Sequence, residues 1–164
     1  MAGGEGFRPE PRFHGCATRV AHGSHDVWLL LPNTYMNESG RAVAALARYY
    51  KIAPEETLIV HDELDLPAGE VRLKKAGGVA GHNGLKSVAA HLGTPDFWRL
   101  RIGIGHPGER AAVTNYVLSP QRSEEVALIE LAVARALEVW PLIAQGKHEA
   151  AMMKLHTKPR ESEP

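Results

Sequence analysis

A single cysteine, Cys16, is all the sulfur chemistry of this kind that the 164-residue chain has. It cannot form an internal disulfide or a cysteine-based metal cage, and a reducing cytosol is the compartment that suits it. A nucleophilic role for Cys16 is less economical than that of a small buried or edge residue. Net charge is also missing, since 19 basic side chains balance 19 acidic ones. That balance argues against a generally basic nucleic-acid binder, although Arg72, Lys74, Lys75 and Lys86 still form a local cluster. No apolar run approaches membrane-spanning length, and residues 1–11 lack the apolar core of a signal peptide. Internal repeats and an interdomain linker are absent too. What remains, 44% apolar and 23% charged residues, is enough for one soluble domain with a real core.

Residues 1–12 are rich in Gly, Pro and charge and read as a flexible arm, and 158–164 read as a polar tail. Between them, 13–157 alternate strand and helix patterns. Phe13 to Val20 reads as a short strand and Asp26 to Leu31 as a firm one, with a turn at His22-Gly23-Ser24-His25. Asn37 or Ser39 is expected to cap a helix running to about Tyr50, its buried face carrying Val43, Leu46, Ala47 and Tyr50. Thr57 to Val60 is apolar on both faces, the mark of a strand inside a helix-covered sheet. Glu70 to Lys75 and Trp98 to Ile104 alternate as half-exposed strands, the second halted by His106-Pro107-Gly108. Its Arg99 and Arg101 should share the polar side. Between these two strands, Asn83 should cap a helix that Gly93 closes. A long amphipathic helix over 123–146 should be kinked or shortened by Pro141, and a short one over 148–156 should dock through Met152 and Leu155.

Residues 61–86, HDELDLPAGEVRLKKAGGVAGHNGLK, carry the chemistry. Acids stand at the end of a strand, where ligands of open α/β sheets bind. Cations follow, then a glycine-rich loop feeding His82-Asn83 into a helix, a combination suited to something large and anionic. The loop matches neither the Walker nor the dinucleotide pattern, so a plain tight turn accounts for it equally well. Asp62 can orient a histidine for acid–base catalysis or simply cap a loop, and the two readings balance. Asn37 and Asn83 can cap helices or offer donors to a carbonyl or an attacking water. Of nine histidines, only His61 and His82 fall beside this stretch. Metal binding by His61, Asp62, Glu63 and Asp65 is set aside, because neighbours on a strand point to opposite faces and no His-x-x-x-His partner exists.

Three segments, LLLPNTYMNESGRAVAAL (29–46), VHDELDLPAGEVRLKKAGGVAGHNGLKSV (60–88) and FWRLRIGIGHPG (97–108), closely resemble the bacterial-type peptidyl-tRNA hydrolases. That resemblance implies a single α/β domain with a twisted mixed β-sheet flanked by helices. It also implies hydrolysis of the ester joining a peptide to the terminal ribose of tRNA, with no metal or organic cofactor. By motif, Asp62 would hold the catalytic histidine, Asn37 and Asn83 would position substrate and water, and Tyr35 would contact the acceptor end. His82, Lys74, Lys75 and Arg101 complete the expected substrate-binding set, the cations as phosphate contacts. The partner is then peptidyl-tRNA, with no membrane, and the enzyme a cytoplasmic monomer.

Family members open with a strand carrying a GLGNPG-type motif and a Thr-Arg-His-Asn segment that holds the histidine, and neither motif occurs in this sequence. The expectation is therefore a family fold without its first strand and with weak or no activity, since general-base catalysis is worth about 10²–10⁴-fold. Two other readings stay open. One is a non-catalytic relative that binds RNA or protein; the other is a generic nucleotide-binding α/β protein resting on the glycine loop alone.

Overall fold

The computed structural model describes residues 6–79, 81–105 and 123–157. Residues 1–5, the stop at His106-Pro107-Gly108 and the tail 158–164 lie outside that range. The chain divides into two compact units, Met1–Leu58 with Lys75–Trp98, and Ile59–Lys74 with Arg99–Pro164.

The first unit is built on an antiparallel sheet of order β1-β2-β3, formed by Arg8–Glu10, Gly15–His22 and His25–Pro32. His22 pairs with His25, so the turn is only Gly23-Ser24, at the place the sequence suggests. Residues 8–10 depart from the expected flexible arm: Arg8, Pro9 and Glu10 pair with Ala17, Cys16 and Gly15. Pro11–Phe13 then makes a single 3₁₀ turn that drives Phe13 into the core. There Phe13, Ala17 and Leu46 are buried, and Trp28, Leu30, Tyr50 and Ile52 pack around them. Each large side chain buried in this way contributes about 1.5–3 kcal/mol. The Trp28 and Tyr50 rings stack at 3.9 Å.

Two helices complete this unit, α1 (Ser39–Tyr49) and α2 (Asn83–Leu92). They approach so closely that a Cβ on Gly40 would stand 2.0 Å from the Ser87 carbonyl oxygen. The Gly40 N–H, one of the first-turn donors that a helix cannot satisfy itself, donates to Ser87 Oγ at 2.9 Å. At the far ends, Arg48 Nη2 donates to the His91 carbonyl at 3.0 Å.

The second unit carries the sheet of order β4-β6-β5, from Leu58–Glu63, Trp98–Gly103 and Val71–Lys75. β6 is the central strand, which corrects the expected face assignment. Arg99 is not on a polar side; it is 2% exposed, as buried as Leu73. β4 was expected inside the sheet, yet among the described residues it is an edge, with Val60 58% exposed. The long helix α3 spans Ser123–Ala144 and continues through Pro141, which removes one backbone donor near its C-terminal end without ending it, so the expected shortening is not seen. The last helix α4 spans His148–His156 and buries Ala151 and Leu155, while Met152 is only half-buried. None of the described helices is long and apolar enough to cross a membrane.

Candidate active site

In the first unit, two short elements bring four of the sequence-predicted residues together. Tyr35 precedes a 3₁₀ turn, Met36–Glu38, that contains Asn37, and this turn packs on the start of α2, where His82 and Asn83 lie. The contact is tight, because a Cβ on Gly84 would be 2.8 Å from Met36 Sδ and 2.9 Å from His82 Cε1. Tyr35 is 82% exposed, and Met36, Asn37 and Asn83 are exposed beside it. The surface thus offers an aromatic ring, a thioether and two carboxamides at one end of one helix.

Neither asparagine caps its helix, contrary to the sequence expectation. The N-cap of α1 is Glu38, without a side-chain bond, and Ser39 Oγ donates back to the Met36 carbonyl at 2.8 Å. The N-cap of α2 is His82. Its Nδ1 accepts from the Leu85 N–H at 3.1 Å, and its carbonyl accepts from the Lys86 N–H at 3.1 Å. The glycine loop before it runs through left-handed backbone at Ala76, Gly77 and Gly81, with φ of 57°, 102° and 86°. For alanine that conformation is strained, a feature that clusters at functional loops.

The second unit supplies the acidic members and the basic ones except Lys75, which belongs to the first. Asp62, half-buried, stands on β4 one residue beyond buried His61, whose Nδ1 lies 2.8 Å from the Asp62 carbonyl oxygen. Arg101 on β6 meets Glu63 through both Nε (2.9 Å) and Nη2 (2.8 Å) to the same oxygen Oε1. Both side chains are about four-fifths buried, so the charge of Arg101 is offset where it stands, which weakens its expected role as a phosphate contact. Glu63 is the partner that the sequence pattern left out. Lys74 and Lys75 remain exposed at the end of β5, on opposite faces of the strand by its two-residue period. The Lys75 ammonium lies 6.0 Å from the centre of the Trp98 ring. Arg72 is nearer an acid than the pattern suggested, 3.9 Å from Glu70.

A family model described as peptidyl-tRNA hydrolase matches residues 2–163. The peptidyl-tRNA hydrolase of Nitrosospira multiformis is 62% identical over 152 residues, covering 93% of this chain and 80% of that protein. That of Nitrosomonas europaea is 57% identical, covering 93% and 78%. Among solved structures, peptidyl-tRNA hydrolase from Acinetobacter baumannii superposes with a TM-score of 0.89 at 46% identity, covering 92% of this chain and 76% of that one. A peptidyl-tRNA hydrolase in complex with n-propanol gives 0.90 at 44% identity, covering 94% and 79%. The comparisons give no support to the expected absence of a first strand and histidine segment, nor to the impaired activity inferred from it.

Proposed function

The chain belongs to the peptidyl-tRNA hydrolase family, and from that premise we propose how its residues divide the work. The reaction is hydrolysis of the ester between peptide and tRNA. Water adds to the ester carbonyl carbon, and the ribose oxygen leaves with a proton. Asp62 holds a histidine in the orientation and charge state of a general base, as an aspartate does when it stabilises an imidazolium. Asn37 and Asn83 present amide donors and acceptors to the ester oxygen and the incoming water. The observation that carries this reading is that both carboxamides are exposed on adjoining elements and neither serves as a helix cap.

Tyr35 offers a ring for stacking against a base of the acceptor end, an interaction worth about 1–3 kcal/mol per base. Lys74 and Lys75 take phosphates, and Arg101, held by Glu63, is a secondary contact. The compartment is the cytoplasm, where translation supplies the substrate, and the working form is the monomer.

Two measurements test the proposal. Asp62→Asn should lower kcat for peptidyl-tRNA cleavage about 10²–10⁴-fold while leaving the circular dichroism spectrum intact; undiminished cleavage would remove Asp62 from the mechanism. Replacing Lys74 and Lys75 together by Gln should weaken tRNA binding and flatten its dependence on log salt. An unchanged salt slope would place the phosphates elsewhere.

A further inference from the structure

Histidine is an uncommon helix N-cap, and Asn83, one residue on, is of the type that caps best. The observed register is the reverse of that preference. The Leu85 N–H donates to His82 Nδ1 at 3.1 Å, and the Asn83 carboxamide makes no hydrogen bond to the described residues. An asparagine that caps spends its side-chain oxygen on a backbone N–H, and the same oxygen cannot then orient an ester or a water. We infer that His82 is a positioning residue: by taking over the N-cap of α2, it releases the Asn83 side chain for the substrate and fixes the direction from which it is offered. This deepens the functional reading above and rests on it.

The geometry supports the assignment in three ways. Accepting at Nδ1 places the ring proton on Nε2, so one neutral tautomer alone makes the cap. Asn83 is the first residue of α2, directly attached to the cap, so its Cα–Cβ direction follows from helical backbone that the cap holds. The ring is also seated from the side, since a Cβ on Gly84 would stand 2.9 Å from His82 Cε1 and 3.2 Å from Nδ1. The ring thus lies close over its own helix turn, with Gly84 leaving the room for it.

The test is a double-mutant cycle on peptidyl-tRNA hydrolysis with His82→Ala, His82→Asn and Asn83→Ala, together with hydrogen exchange at the Leu85 amide. His82→Ala should lower kcat/KM roughly fivefold to tenfold, and His82→Asn, which restores a cap, should return it to within about threefold of the starting enzyme. In an Asn83→Ala background, His82→Ala should have almost no further effect, because the two act as one unit. Exchange at Leu85 should quicken in His82→Ala and not in His82→Asn. Multiplying losses in the double mutant, or His82→Asn as poor as His82→Ala, would mean that the ring meets substrate directly, and would overturn the inference while leaving Asn83 in the reaction. Full activity of Asn83→Ala would overturn both this inference and the functional reading of Asn83.

Discussion

A methyl group added at Gly84 would stand 2.8 Å from Met36 Sδ, and one added at Gly40 would stand 2.0 Å from the Ser87 carbonyl oxygen. Both are closer than real contacts allow, Gly40 by far the more, and the neighbours also differ in what they can yield. Met36 is an exposed, flexible thioether that can swing aside, leaving chiefly a displaced His82 ring and a lost cap of about 1 kcal/mol. The Ser87 oxygen is helix backbone, and moving it separates α1 from α2 and strips the Gly40 N–H of its Ser87 Oγ acceptor. Gly40→Ala should therefore cost about 3 kcal/mol or more in urea unfolding, and Gly84→Ala about a third of that. Equal costs would contradict the close approach of the two helices. Activity should show the opposite bias per unit of stability lost, since Gly84 lies beside Asn83.

Between elements, the clearest tether is the one from the last helix to a strand. The Leu73 N–H of β5 donates to His156 Nε2 at 3.1 Å, while Arg135 on α3 donates to the Leu155 carbonyl. Partial burial holds the His156 pKa below its ordinary value, and the cations of Arg72 and Arg135 push it the same way. The unfolded chain therefore binds a proton on this residue at a higher pH than the folded chain does. The tether is complete above the ordinary imidazole value and is lost as pH falls through that value to the lower folded one. The ring is largely open to water, so the bond is worth about 0.5 kcal/mol, or roughly 1–2 °C in melting temperature. His156→Ala should melt that much lower than the natural protein at pH 7.5 and equal to it at pH 5. A gap that widens on acidification would refute the link.

Elements were more legible in the sequence than their surroundings. The β2–β3 turn, α2 with Gly93 as its stop, β5 and the 148–156 helix all fall where local pattern puts them, because turn chemistry and apolar period are properties of neighbouring residues. Arg99 was misplaced because alternation reports two faces without reporting that a strand is central and both are covered. Residues 8–10 looked like an arm because strand pairing across Cys16 is not local information. At the candidate site, the family segments pointed to Asn37, Asp62 and Asn83, but the capping role of His82 and the Glu63–Arg101 pair depend on side-chain placement. A one-residue shift in helix register lies below what propensity resolves.

For the whole molecule, the two units differ in where their chain comes from. One is assembled from Met1–Leu58 and Lys75–Trp98, the other from Ile59–Lys74 and Arg99–Pro164. The bond from Leu73 to His156 spans most of the second half of the sequence. During synthesis, every residue of the first unit has been made by Trp98, while the second waits for its last helix. At about 5–20 residues per second, the ribosome needs roughly 3–12 s to go from Trp98 to His156. For that interval β5 is a nascent strand whose Leu73 N–H has no imidazole to meet. Ribosome-bound chains ending near residue 130 should accordingly resist protease across α1 and α2 and be cut within 59–74, and uniform protection of both would show that the units do not form in succession. Birth order, rather than contact strength, then makes β5, the strand that carries Lys74, the last strand of the enzyme to be secured.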